Sequence, residues 1–305
     1  MTRSAMDTAQ GDGRPGWLIA APLFFLLFWS GGFVFAKLGL QHAEPLTFLA
    51  LRFAIVVAAM AIAFAVFRPP LPKRASDWVH LAIVGVLMQS FYFGFTYLAF
   101  DWDVSAGTVA LILALHPILV AIIAPWSAGE RVGSRRWAGL ILALAGTAVV
   151  IAARLEIAVP PIAGLVVTGM ALAAFLAATL WEKRFGQNHH PVTSNLIQFT
   201  AGLLAILPFA LVLETGRIDL NWEMGLALAY LVICNSLIAT SLLLAMIRYG
   251  EVARVSALLF LVPPGAAFLA WLILDEAMPP LAWAGMALAA IGVLIATRQR
   301  PQNAP

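Results

Sequence analysis

Apolar residues in this chain gather in long unbroken runs, and the charged residues are confined almost entirely to the short connections between them. A helix needs about 20 mostly apolar residues to cross a bilayer. Ten stretches approach or exceed that length: 17–37, 45–67, 78–100, 104–124, 137–153, 162–181, 193–213, 224–247, 252–274 and 280–297. Residues 1–16 are expected to form a disordered tail, 154–161 a Pro-containing linker, and 298–305 a basic polar tail. The first run exceeds an ordinary signal-peptide core, and no small-residue cleavage site follows it. It is therefore expected to remain as a spanning helix.

The two halves repeat each other at a constant offset of 146. Lys37, Pro45, Phe53 and Gln89-Ser90 recur as Lys183, Pro191, Phe199 and Asn235-Ser236. Pro117, Glu130, Trp137-Ala138-Gly139 and Gly146 recur as Pro263, Glu276, Trp283-Ala284-Gly285 and Gly292. One offset held over the whole length signals duplication. Each unit, 17–153 and 162–297, holds five runs, an odd number. The second unit must then enter the membrane from the opposite side. The expected fold is an all-α integral membrane protein of ten transmembrane helices in two inverted five-helix repeats.

A few polar positions interrupt the apolar runs, and they are the candidate chemistry. An amide without a partner in hydrocarbon costs several kcal/mol, so Gln89-Ser90 and Asn235-Ser236 are expected to line a central solute cavity. The plainer alternative is that they join helices by hydrogen bonds. Arg52, inside the second run, is a candidate contact for an anionic group or a cap for a neighbouring helix. His116 is the candidate proton-coupling residue, against the alternative of a neutral His bonded to a carbonyl. Pro117 and Pro263 each remove a mid-helix hydrogen bond, offering a gating bend or a simple kink. Tyr92 and Phe93 share a helix face with Gln89, and Tyr97 lies one turn on, so an aromatic solute has a stacking surface there. Packing and an interfacial belt account for most of the aromatics between Phe91 and Trp102. Lys37 and Lys183 are gate candidates or snorkelling surface charges.

Composition narrows the class further. Apolar residues make up 62% and charged residues 11%, and the mean hydropathy is +0.94, which excludes a water-soluble globule. The net charge of +3 is spread over the connections rather than clustered, so no nucleic-acid partner is expected. With the N-terminus inside, 14 of the 18 Lys and Arg residues fall on the cytoplasmic side and 4 outside. Both termini are then expected in the cytoplasm of a bacterial inner-membrane protein. The lone Cys234 excludes a disulfide framework and a Cys/His metal site. No cofactor or metal is expected, and no nucleophile–base pairing or phosphate loop suggests an enzyme. Acidic residues are absent from the central third of every run, which weakens a lipophilic-cation carrier.

Gly129-Glu130 followed by Gly139 and Gly146, and Asp275-Glu276 followed by Gly285 and Gly292, complete a pattern that resembles the EamA-type members of the drug/metabolite transporter superfamily. The resemblance covers residues 17–297, and the aromatic-rich third run is most similar to bacterial YddG-type exporters of aromatic amino acids. It implies a secondary-active exporter of small metabolites, amino acids and especially aromatic ones, working by alternating access. A multidrug efflux carrier and a non-transporting scaffold are the alternatives. The implied partners are a small-molecule solute and the lipid bilayer. Glycines seven apart return to one helix face, so runs five and ten are expected to pack closely, within one chain or between two.

Overall fold

A computed structural model describes residues 20–104, 106–127, 132–153, 161–186, 189–250, 252–274 and 278–298. The expected tail at 1–16, residues 154–160 of the linker, the end of the C-terminal tail, and Gly129, Glu130, Asp275 and Glu276 lie outside the described residues.

The described chain is helical. Its helices are α1 (Ala21–Leu40), α2 (Pro45–Phe67), α3 (Ala75–Asp101), α4 (Ala106–Leu113), α5 (His116–Ser127) and α6 (Ser134–Ala152). There follow α7 (Ile162–Phe185), α8 (Pro191–Leu213), α9 (Trp222–Tyr249), α10 (Val252–Ala257), α11 (Val262–Leu274) and α12 (Pro280–Thr297). Among the described residues nine spans are long and apolar enough to cross a membrane, with Val255–Leu269 as a shorter apolar stretch. The expected ninth run is thus not one straight helix. A 3-10 segment, Leu258–Leu261, separates α10 from α11 immediately before Pro263 and Pro264. The fourth run is broken likewise, by a turn at 114–115 ahead of Pro117.

Local chemistry explains several boundaries. Pro45, Pro191 and Pro280 each occupy a first helical position, where a missing N–H costs nothing. The Asn221 side chain accepts from Met224 N at 2.8 Å to start α9. Arg68 ends α2 in the left-handed region, at φ 46°.

The outer faces are apolar. Leu211, Val212 and Leu213 are 72%, 80% and 68% exposed, an arrangement suited to lipid and hostile to water. Inside, α6 and α12 pack through their glycines. A Cβ on Gly146 would strike the backbone of Ala289, and one on Gly292 would strike that of Ala143. Gly139 meets Gly292 and Ala296 while Gly146 meets Gly285 and Ala289, so these two helices of one chain run antiparallel. Close approach is what the small residues permit.

Candidate functional site

α2 carries Arg52 into the interior, where it is fully buried. Its Nε donates to Ser236 Oγ at 2.9 Å, Nη1 to the Tyr97 hydroxyl at 3.0 Å, and Nη2 to Asn235 Oδ1 at 2.7 Å. The guanidinium carbon stands 4.6 Å from the Phe93 ring centroid. These partners are neutral, and no acidic side chain pairs with Arg52 among the described residues. A guanidinium has five N–H donors, more than three neutral acceptors use. Hydrogen bonds and ring contact reduce the penalty of burying the cation, but only an anion cancels its charge.

Both polar steps lie on π-helical turns. Gln89 and Ser90 sit in Val86–Tyr92 within α3, and Asn235 and Ser236 in Leu231–Ala239 within α9. A π-turn widens the helix by one residue and re-aims its side chains, and such turns concentrate at functional sites. The widened backbone is satisfied locally in α9, where Thr240 Oγ1 donates to Asn235 O at 3.1 Å. Ser90 Oγ donates to Gly202 O at 2.6 Å, whereas both amide atoms of buried Gln89 have no hydrogen-bond partner among the described residues. Asn235 Nδ2 also reaches Phe28 O at 3.4 Å, and a Cβ on Gly32 of α1 would collide with that amide.

An aromatic wall flanks the cation. The Trp29 ring stacks with Tyr92 at 6.3 Å and Phe175 at 6.1 Å, and Tyr92 stacks with Phe175 at 4.5 Å. His116 lies on Phe175 at 4.2 Å, and its Nε2 shares a 3.1 Å hydrogen bond with Thr179 Oγ1. Tyr92, Phe93 and Tyr97 are all buried here, while Phe91 and Trp102 point outward, 38% and 43% exposed.

Arg52 caps no neighbouring helix: its bonds go to side chains. Lys37 and Lys183 differ in setting. Lys37 is exposed near the end of α1, whereas Lys183 Nζ donates to Gly250 O. Pro117 and Pro263 fall at the two helix breaks rather than within continuous helices. Sequence reasoning missed Trp29, Phe175, Thr179 and Gln198. The 146 offset carried the signal, because it relates Trp29 to Phe175 and Arg52 to Gln198.

Ties close both ends of the bundle. At one end Glu214 accepts from Leu46 N at 2.8 Å, and from Thr47 N and Oγ1 at 2.6 and 2.7 Å. Beside it Glu44 accepts from Arg217 N at 2.8 Å and from Thr215 Oγ1 at 3.1 Å. The Arg217 backbone donor, with Thr215 assisting, holds the Glu44 carboxyl below the usual carboxylate range. At the other end buried Glu182 of α7 pairs with Arg248 of α9.

The EamA-like transporter family matches this chain twice, over residues 16–152 and 163–298. A relative from Salmonella typhimurium, "Probable amino-acid metabolite efflux pump", is 28% identical over 90% of this chain and 92% of its own length. Another, from Streptantibioticus cattleyicolor, "Probable terminal-alkyne amino-acid exporter", is 28% identical over 89% of this chain and 90% of its own. A crystal structure sharing 20% identity superposes with a TM-score of 0.77 over 92% of this chain and 97% of that one, which shows the fold. The chain belongs to the EamA-like transporter family, a multi-pass membrane family whose two copies here are the two halves seen in the sequence.

Proposed function

We propose that the chain exports amino acids, aromatic ones in particular, across a bacterial inner membrane, and that Arg52 receives the substrate carboxylate. The carrying observation is the buried guanidinium held only by neutral groups. A carboxylate arriving there gains charge-assisted, bidentate hydrogen bonds and relieves an uncompensated charge. Tyr92, Phe93 and Trp29 offer the stacking surface for a ring, and Asn235 and Ser236 orient the guanidinium. The names of the two relatives support amino-acid solutes. A lipophilic cation is disfavoured because the central charge is itself positive.

Alternating access between two inverted repeats is the mechanism in this reading. Its support is the antiparallel contact of α6 with α12 and the sequence duplication that relates them. Pro117 and Pro263 lie at breaks suited to bending, and the ties at the two ends act as gates. His116, an ionisable ring in the wall bonded to Thr179 Oγ1, is the coupling residue in this reading. Both termini face the cytoplasm, following the distribution of Lys and Arg.

Efflux of labelled Phe, Trp and Tyr from loaded proteoliposomes tests the reading, with Arg52→Gln and Asn235→Ala beside the intact protein and a lipophilic cation in parallel. The expected result is saturable amino-acid efflux weakened by both substitutions, with no cation flux. Cation flux alone would replace this reading with multidrug efflux.

A further inference from the structure

The position equivalent to Arg52 in the second half is Gln198, and the chain thereby breaks its own repeat at the most polar point of the interior. Gln198 is fully buried, and neither its Nε2 nor its Oε1 has a hydrogen-bond partner among the described residues. The same holds for both amide atoms of Gln89. The two side chains belong to one seam. A Cβ on Gly85 of α3 would meet the Gln198 backbone, and a Cβ on Gly202 of α8 would meet the Gln89 side chain. Gln89 lies one turn beyond Gly85, and Gln198 one turn before Gly202, so both residues share the α3–α8 contact. Phe199, next to Gln198, meets Phe53, next to Arg52, at 5.5 Å, and Phe93, one turn beyond Gln89, lies under the guanidinium. The orphan amides therefore border the Arg52 site.

We infer that Gln198 and Gln89 form a subsite for the substrate ammonium group, so that the site selects zwitterionic α-amino acids over simple carboxylates. This inference rests on the proposed amino-acid export. The two buried amide oxygens are acceptors without partners, each costing about 1–3 kcal/mol if nothing meets it. Each amide oxygen is an acceptor with two lone pairs, and an ammonium carries three donors and no acceptor. An amide can meet that cation without repelling the guanidinium nearby, whereas a carboxylate in its place would neutralise Arg52 and compete with the substrate. The departure from symmetry then has a chemical sense: one half supplies the cation for the carboxylate, and the other supplies neutral acceptors for the ammonium.

The test uses full-length protein in liposomes and labelled L-phenylalanine counterflow, inhibited by L-phenylalanine, 3-phenylpropanoate (no ammonium) or phenethylamine (no carboxylate). Phenylpropanoate is expected to inhibit about ten-fold or more weakly than phenylalanine, the size of losing a hydrogen bond to a charged group. Gln198→Leu is expected to raise the KM for phenylalanine about ten-fold while leaving inhibition by phenylpropanoate unchanged. Equal inhibition of the intact protein by phenylalanine and phenylpropanoate overturns the ammonium subsite and leaves the export reading standing. An unchanged selectivity ratio in a folded Gln198→Leu protein does the same. Absence of any amino-acid flux overturns both. The inhibitor comparison on the intact protein keeps the question decidable even where Gln198→Leu fails to fold.

Discussion

Trp29 and Phe175, 146 positions apart in the chain, stack on each other with ring centroids 6.1 Å apart and planes 14° from parallel. Phe53 and Phe199, separated by the same interval, also meet, at 5.5 Å. Equivalent residues of two repeats touch each other only where they approach a shared axis. Both pairs border Arg52 and the aromatic wall, which puts the candidate site where the halves meet.

Arg52 is expected to matter far more for transport than for folding. Arg52→Met removes a buried cation that no acid neutralises but leaves Ser236, Tyr97 and Asn235 without that donor, so its two effects on stability oppose each other. Arg52→Met should lower amino-acid flux by about ten-fold or more, the loss expected when a charged hydrogen-bonding partner is removed. Its thermal unfolding temperature in detergent should stay close to that of the intact protein. A collapse in unfolding temperature would make Arg52 a structural residue.

Gly146→Val should do the opposite. A side chain there meets the α12 backbone at Ala289 and Gly285, which cannot move aside as a flexible side chain would. Overpacking of this kind costs about 1–3 kcal/mol, read as a lowered unfolding temperature. Gly225→Val, at a glycine with nothing near its Cβ position, is the control and should leave packing intact.

Glu214→Ala should loosen the α2 start. It removes the acceptor used by the Leu46 and Thr47 amides and the Thr47 hydroxyl. Loss of that bonding, about 1–3 kcal/mol for the groups left unmet, should speed hydrogen exchange at Leu46 and Thr47 about ten-fold or more. Unchanged protection would show that the tie holds nothing.

Acid should release the neighbouring tie. The Glu44 carboxyl is held below its ordinary value, chiefly by the Arg217 N–H. A depressed folded value stabilises the tie fully above the unfolded-state value, and the contribution is lost as pH falls through the lowered one. Exchange protection at Thr215 and Arg217, corrected for intrinsic rates, should be constant from neutral pH down to the ordinary carboxylate range and fall below it. Glu44→Gln should remove that dependence.

The proposed proton role of His116 has its own measurement. His116→Gln keeps a polar side chain near Thr179 but cannot titrate. Amino-acid counterflow should persist in this variant, while flux driven by a pH gradient is lost. Gradient-driven flux at the intact rate would move coupling elsewhere.

The 146-residue repeat was determined by the sequence itself, as were the length and apolarity of the runs and the rarity of interior charge, the last two because a bilayer demands them of any spanning chain. Arg52, Gln89 and Asn235 stood out for the same reason: polar groups in hydrocarbon are conspicuous in a one-dimensional pattern. Which groups they meet was decided only in three dimensions. That Arg52 bonds Asn235 and Ser236, over 180 residues away, depends on how α2 lies against α9. Trp29 and Phe175 read as ordinary apolar residues until packing stacked them at the centre. The π-turns under both polar steps, and the glycine contact of α6 with α12 inside one chain, were likewise set by tertiary packing. Hydrophobic patterning reports how much of a helix is apolar, but the direction of each polar side chain and its partner come from the register between helices.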